Sequence, residues 1–203
     1  MRSPGAIALI VLVLVLGLAG CAGCGQYNSL VTEDENVNTA WANVESQYQR
    51  RADLIPNLVS TVRASADFES ETLENVVEAR ARATSINVSA EDLDDPAKLR
   101  QFQEAQSALS SSLGRLLAVA ENYPQLQATA GFRDLQAQLE GTENRIQVAR
   151  SDYNNVVRNY NTKVRQFPAA LFAGIMGFEQ RAAFESDAGS EDAPDVGDLF
   201  DNS

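Results

Sequence analysis

The residue with the most definite chemistry in this sequence is Cys21. It follows Leu18-Ala19-Gly20, a branched residue and two small ones that fit a peptidase cleft, and its setting resembles a bacterial lipobox, whose cysteine takes diacylglycerol. Cys24, preceded by Cys21-Ala22-Gly23, fits that pattern less well. The competing reading is an uncleaved transmembrane helix with an incidental cysteine, since small residues also suit membrane helices. The 203 residues hold no histidine and only these two cysteines, which excludes Ser-His and Cys-His catalysis and the ligand sets of zinc and haem. No cofactor or metal is expected.

Arg50, Arg51 and Asp53, beside Pro56, form the most distinctive polar cluster. One reading is a docking surface for a protein partner. The other is an intrachain network of ion pairs and caps that fixes the course of the chain at the proline. The acids Glu91, Asp92, Asp94 and Asp95 lack the glycine and distal glutamate of a calcium-binding EF-hand, so a solvated loop is expected there. A pair of carboxylates would serve a glycosidase, but among 28 acids no chosen pair is informative.

The elements that position these residues begin with the N-terminus. Arg2 precedes an uncharged run from Gly5 to Gly25, and nothing charged recurs until Glu33. As a helix this run reaches roughly 30 Å, a bilayer core, while its dense part from Ala6 to Leu18 has the length of a signal-peptide apolar region. Both readings place the folded body outside the cytoplasmic membrane. Arg2 marks the cytoplasmic side, and the chain beyond the run opens with Glu33-Asp34-Glu35 and has no basic residue before Arg50.

The body is patterned for helices. Leu99, Phe102, Gln106, Leu109, Leu113, Leu116, Ala120 and Tyr123 recur at alternating spacings of three and four, with Asp95 as cap, Pro96 at the first helical position and Tyr123-Pro124 as the close. A second long helix is predicted from about Thr129 or Phe132 to Gln166, stopped by Pro168, with Gly141 marking a close approach to a neighbouring helix. Thr32 and Glu35 read as a capping box opening a helix that carries Val37, Trp41, Val44 and Tyr48. At Pro56 either Asp53 caps a new helix or one helix continues with a kink; both carry Leu58, Val62, Leu73, Val76 and Val77 on to about Thr84. The expected fold is all-α: long antiparallel helices in an up-down bundle of about four, preceded by an N-terminal membrane anchor.

The stretches Gln26 to Val31 and Ala40 to Val59, then Gly141 to Ile146, Tyr153-Asn154, Tyr160-Asn161, and Phe167-Pro168 with Leu171-Phe172-Ala173, resemble the LemA family of bacterial membrane proteins. The resemblance covers about Tyr27 to Phe184. It implies an N-terminal anchor, a long-helix bundle and no established catalytic activity. The lipobox-like Cys21 and a strongly acidic tail depart from the usual family pattern.

Three regions are therefore expected: 1–25 as signal and lipobox or transmembrane anchor, 26–184 as the LemA-like bundle, and 185–203 as a disordered tail with seven acids and no base. Within the second, Leu171, Phe172, Ile175, Met176 and Phe178 are apolar enough to need burial, across the bundle end or against a membrane or partner. A net charge of −12 argues against nucleic acid. The expected role is a non-enzymatic membrane-anchored envelope protein, a scaffold or adaptor with protein partners. The alternative is a carboxylate-dependent hydrolase of cell-wall glycans.

Overall fold

The computed structural model describes residues 4–64 and 68–185. Four long helices dominate: α1 (Pro4–Arg63), α2 (Ser70–Ser85), α3 (Pro96–Ala120) and α5 (Ala130–Arg165), with short helices α4 (Pro124–Gln127) and α6 (Ala169–Ala173) and a 3₁₀ turn at Ala90–Asp94. No strand occurs among the described residues. Against α1, α5 runs antiparallel: Glu33 pairs with Lys163, Arg51 with Glu143, and Thr61 faces Gly131. α2 returns antiparallel to α1, and α3 runs parallel to it, with Trp41 on Phe102. The arrangement is the expected up-down bundle.

The 60 residues of α1 form one helix. Thr32 is not a cap, because its Oγ1 donates to Asn28 O at 2.9 Å and the helix passes through it. Local capping chemistry at Thr32 and Glu35 loses to a seam that already includes the fully buried Leu30 and continues through Val37, Trp41, Val44 and Tyr48. Among the described residues no helix is long and apolar enough to cross a membrane. Between Gly5 and Gly25 only Gly5, Leu9, Val13, Leu14 and Gly25 have described side chains, so most of the expected anchor, Cys21 included, lies outside them.

Pro56 lies inside α1, so of the two courses expected there the continuous helix is the one found. A proline supplies no amide to the carbonyl four residues back. That carbonyl, on the buried Ala52, accepts instead from Arg80 Nε of α2 at 2.8 Å. The proline thus opens an acceptor on α1 that docks α2. Replacing Arg80 by alanine is expected to cost about 1–3 kcal/mol by stranding that acceptor. In a Pro56→Ala background the restored amide takes the carbonyl and the cost should shrink. Equal costs in both backgrounds, read by urea unfolding of the four variants of the cycle, would contradict this coupling.

The helix does not extend to Thr84 as expected. It ends at Arg63, and α2 begins at Ser70, where Thr72, Leu73, Val76 and Ala83 are buried and Val77 is exposed. The reversal lets Phe68 bury against the Tyr123 ring, 5.0 Å between centroids. Gly141 also departs from expectation, since a Cβ there would meet nothing within 4 Å.

Both long helices start where expected, α3 at the predicted cap. Asp95 accepts from the amides of Ala97 and Lys98 with Pro96 at the head of α3, and Thr129 Oγ1 accepts from Phe132 N at the head of α5. The acidic stretch is a structured turn: Asp92 accepts from Ser89 N and pairs with Lys98. The Lys98 ammonium and the Ser89 groups hold the Asp92 carboxyl down at about 2. Leu93 anchors the turn in the core.

Candidate functional site

The interior is divided by polarity. One apolar cluster joins Leu30 to Tyr48 of α1 with Leu99, Phe102 and the stretch Ile146 to Val164. The other joins Ile55 to Val62 with Leu109 to Ala120, Phe132 and Leu139. Between them each of three helices turns in a polar residue: Arg51 from α1, Gln106 from α3 and Thr142 from α5, all buried.

Arg51 is 2% exposed and organises this layer. Its Nη1 donates to Ser110 Oγ at 2.6 Å and Glu143 Oε2 at 2.9 Å. Its Nη2 donates to Gln106 Oε1 at 2.6 Å and Gln106 O at 3.2 Å, while the guanidinium lies 5.1 Å from the Tyr48 ring centroid. Nε is buried without a hydrogen-bond partner among the described residues. Gln106 Nε2 in turn donates to Ala83 O of α2 at 3.4 Å, so the layer touches all four long helices. Thr142 is satisfied on its own helix, donating to Gln138 O at 2.7 Å.

The cluster read from the sequence is thereby split. Arg51 points into the core, whereas Arg50 is exposed and Asp53 is exposed, accepting from Gln49 Nε2 at 2.9 Å. The register explains the split. Positions 37, 41, 44, 48, 51, 55, 58 and 62 alternate by four and three, and Arg51 falls on the seam. With every Nη donor engaged by this chain's own groups, the geometry of Arg51 suits holding helices in register rather than meeting a ligand. The cavity beside it measures about 100 Å³. A cleft of about 270 Å³ lined by α1, α2, α3 and residues 86–88 holds one carboxylate, Glu45, and no second among the described residues.

A second arrangement carries no helical period and was not anticipated. After α6 the chain crosses the bundle as an extended strap, residues 178–185, gripped by two asparagines of α5. Asn161 donates to Arg181 O at 2.8 Å and accepts from Arg181 N at 2.9 Å. Asn154 does the same for Phe184, at 3.1 and 2.9 Å. Seven helical residues rise about 10.5 Å and three extended residues span about 10 Å, so asparagines one heptad apart meet strap residues three apart. Each follows a buried tyrosine: Tyr153 donates to Ala182 O at 2.9 Å, and burial pushes Tyr160 up to about 12. Arg181 reaches on to Asp34 of α1, and Glu185, expected as the first residue of the tail, is held by Arg100 and Gln103. Residues 186–203, the rest of the expected tail, lie outside the described residues.

The apolar stretch after α5 divides in two. Ala169, Ala173 and Phe184 are buried and Phe172 and Phe178 half-buried, while Leu171, Ile175 and Met176 remain exposed.

Comparison with known proteins places this architecture. The model of the LemA family matches residues 40–197. The magnetosome proteins MamQ 2 and MamQ 1 of Paramagnetospirillum magneticum are each 28% identical to the chain over 176 residues, covering 79% of it and 65% of their own length. The chain thus spans just under two thirds of those relatives. Protein LemA of Metamycoplasma hominis is 22% identical over 178 residues, covering 88% of the chain and 77% of that protein.

Proposed function

The chain belongs to the LemA family, and from that premise we propose that it is a non-enzymatic, membrane-anchored scaffold or adaptor of the cell envelope. Its bundle lies outside the cytoplasmic membrane and presents its faces to other envelope proteins. The observation that carries this reading is the continuity of α1. The uncharged run from Gly5 to Gly25 and the first helix of the bundle are one element, so either a spanning run or a lipidated Cys21 within it would hold the bundle at the membrane surface. The relatives are named for a family or a cellular structure and not for a reaction, which favours a scaffold over the glycan hydrolase. Crosslinking in intact cells followed by mass spectrometry tests the adaptor role. Recovery of defined envelope proteins is expected; recovery of no protein above the level of an unrelated membrane protein sinks it.

In this proposal residues 1–20 are the signal segment that is removed and the lipidated Cys21, at the head of the same helix, is the anchor; the alternative is the uncleaved run as a spanning helix. A single acyl chain holds a protein only marginally, whereas the several chains of a bacterial lipoprotein hold it stably. Intact mass of the native protein decides the mode. Loss of residues 1–20 with a gain for acyl groups is expected, and an unmodified chain beginning near Met1 would refute lipidation while leaving a spanning anchor.

A further inference from the structure

We infer that the exposed apolar side chains of Tyr27, Val31, Phe167, Leu171, Ile175 and Met176 form a collar that rests in the interfacial layer of a lipid bilayer. The inference builds on the anchored reading and adds a second membrane contact, made by the folded body itself.

Large apolar residues are exposed very unevenly here. Among the described residues eleven are exposed: Leu9, Val13 and Leu14 of the N-terminal run, the six of the collar, and only Val77 and Val148 elsewhere. Ile175 is 86% exposed and Phe167 82%. Single exposed apolar residues need no explanation, but six gathered at one end of the bundle mark a binding surface.

Position identifies the occupant. α6 packs on the start of the bundle, burying Ala169 and Ala173 in the cluster that contains Leu30, and Phe178 meets the Tyr27 ring edge-on at 5.8 Å between centroids. Tyr27 and Val31 lie two and six residues beyond Gly25 on the same helix, an axial distance of at most about 9 Å. A bilayer that takes up the apolar run, or the acyl chains on Cys21 six residues before Tyr27, must therefore meet the collar at its surface. Aromatic and aliphatic side chains are favoured at that depth, where burial of an apolar face reaches about 5–10 Å into the headgroup boundary. Of the acids next along α1, Glu33 pairs with Lys163 at 3.1 Å and Asp34 with Arg181 at 2.8 Å, and the exposed Glu35 lies about 15 Å beyond Gly25, past the interfacial depth.

Tryptophan fluorescence in the full chain, reconstituted in phosphatidylcholine vesicles brominated at a shallow acyl position, tests this. The natural Trp41 is buried between Phe102 and Tyr153 and serves as the blank. Ile175→Trp should add fluorescence that bromine quenches about two-fold, as a side chain within the interface would be. Val148→Trp, exposed on the body away from the collar, should be unquenched. If the Ile175→Trp chain floats with the vesicles and its added signal is as unquenched as that of Val148→Trp, the collar is overturned, the anchor stands, and the patch belongs to a protein partner. If the chain does not float at all, the anchored reading fails and the collar with it.

Discussion

Replacing Arg51 by alanine should lower the unfolding free energy by about 3 kcal/mol. Breaking a buried charge pair by removing one partner costs about 3–5 kcal/mol when the survivor stays dry. Here the surviving carboxylate, Glu143, is 42% exposed and regains water, which places the loss at the low end. What remains is the stranded Gln106 side chain and the space left by a 2%-exposed arginine. Urea unfolding of the full chain in mild detergent, followed by circular dichroism, measures it. A loss below about 1 kcal/mol would mean that the layer is not the junction of the bundle. Arg51→Met combined with Gln106→Leu should regain much of the loss, because apolar replacement of a whole buried polar set is often neutral. The layer is then explained by register: four helices with continuous apolar seams can slide, and one polar level penalises every slipped alignment.

The second large effect belongs to the strap. Asn154→Ala with Asn161→Ala removes four side-chain to backbone hydrogen bonds, and at a net of about 0.5–1 kcal/mol each the strap loses about 2–4 kcal/mol of local stability. Tryptic cleavage after Arg181 should accelerate by roughly 100-fold, with little change in global unfolding. Unchanged cleavage would show that Arg181 is held by Asp34 and the apolar contacts of Phe184 alone.

Much of this architecture is written in periodicity. The alternation of three and four from Leu99 to Ala120 and from Phe132 to Val164 marks α3 and α5, and the cap at Asp95 marks the start of α3, because such signals are local and redundant. The inward turn of Arg51 was legible by the same rule, since it occupies a seam position, but its charge suggests a surface and hides the register. Two features have no local signature. The break after Arg63 falls in a stretch without glycine or proline and is set by the burial of Phe68 on Tyr123, a contact between residues far apart in sequence. The strap is extended and aperiodic, and its only trace is the repeated Tyr-Asn pair one heptad apart. At Thr32 a local signal pointed the wrong way, because a capping box is worth about 1 kcal/mol and the seam through Leu30 to Tyr48 outweighs it.

The proposal as a whole turns on where the bundle sits, and protease accessibility reads that directly. Trypsin added to intact spheroplasts should digest the body while a cytoplasmic marker protein survives, as the proposal expects from the charge asymmetry between Arg2 and the acids from Glu33 onward. Protection of the body until the spheroplasts are lysed would contradict an outward-facing, membrane-anchored bundle.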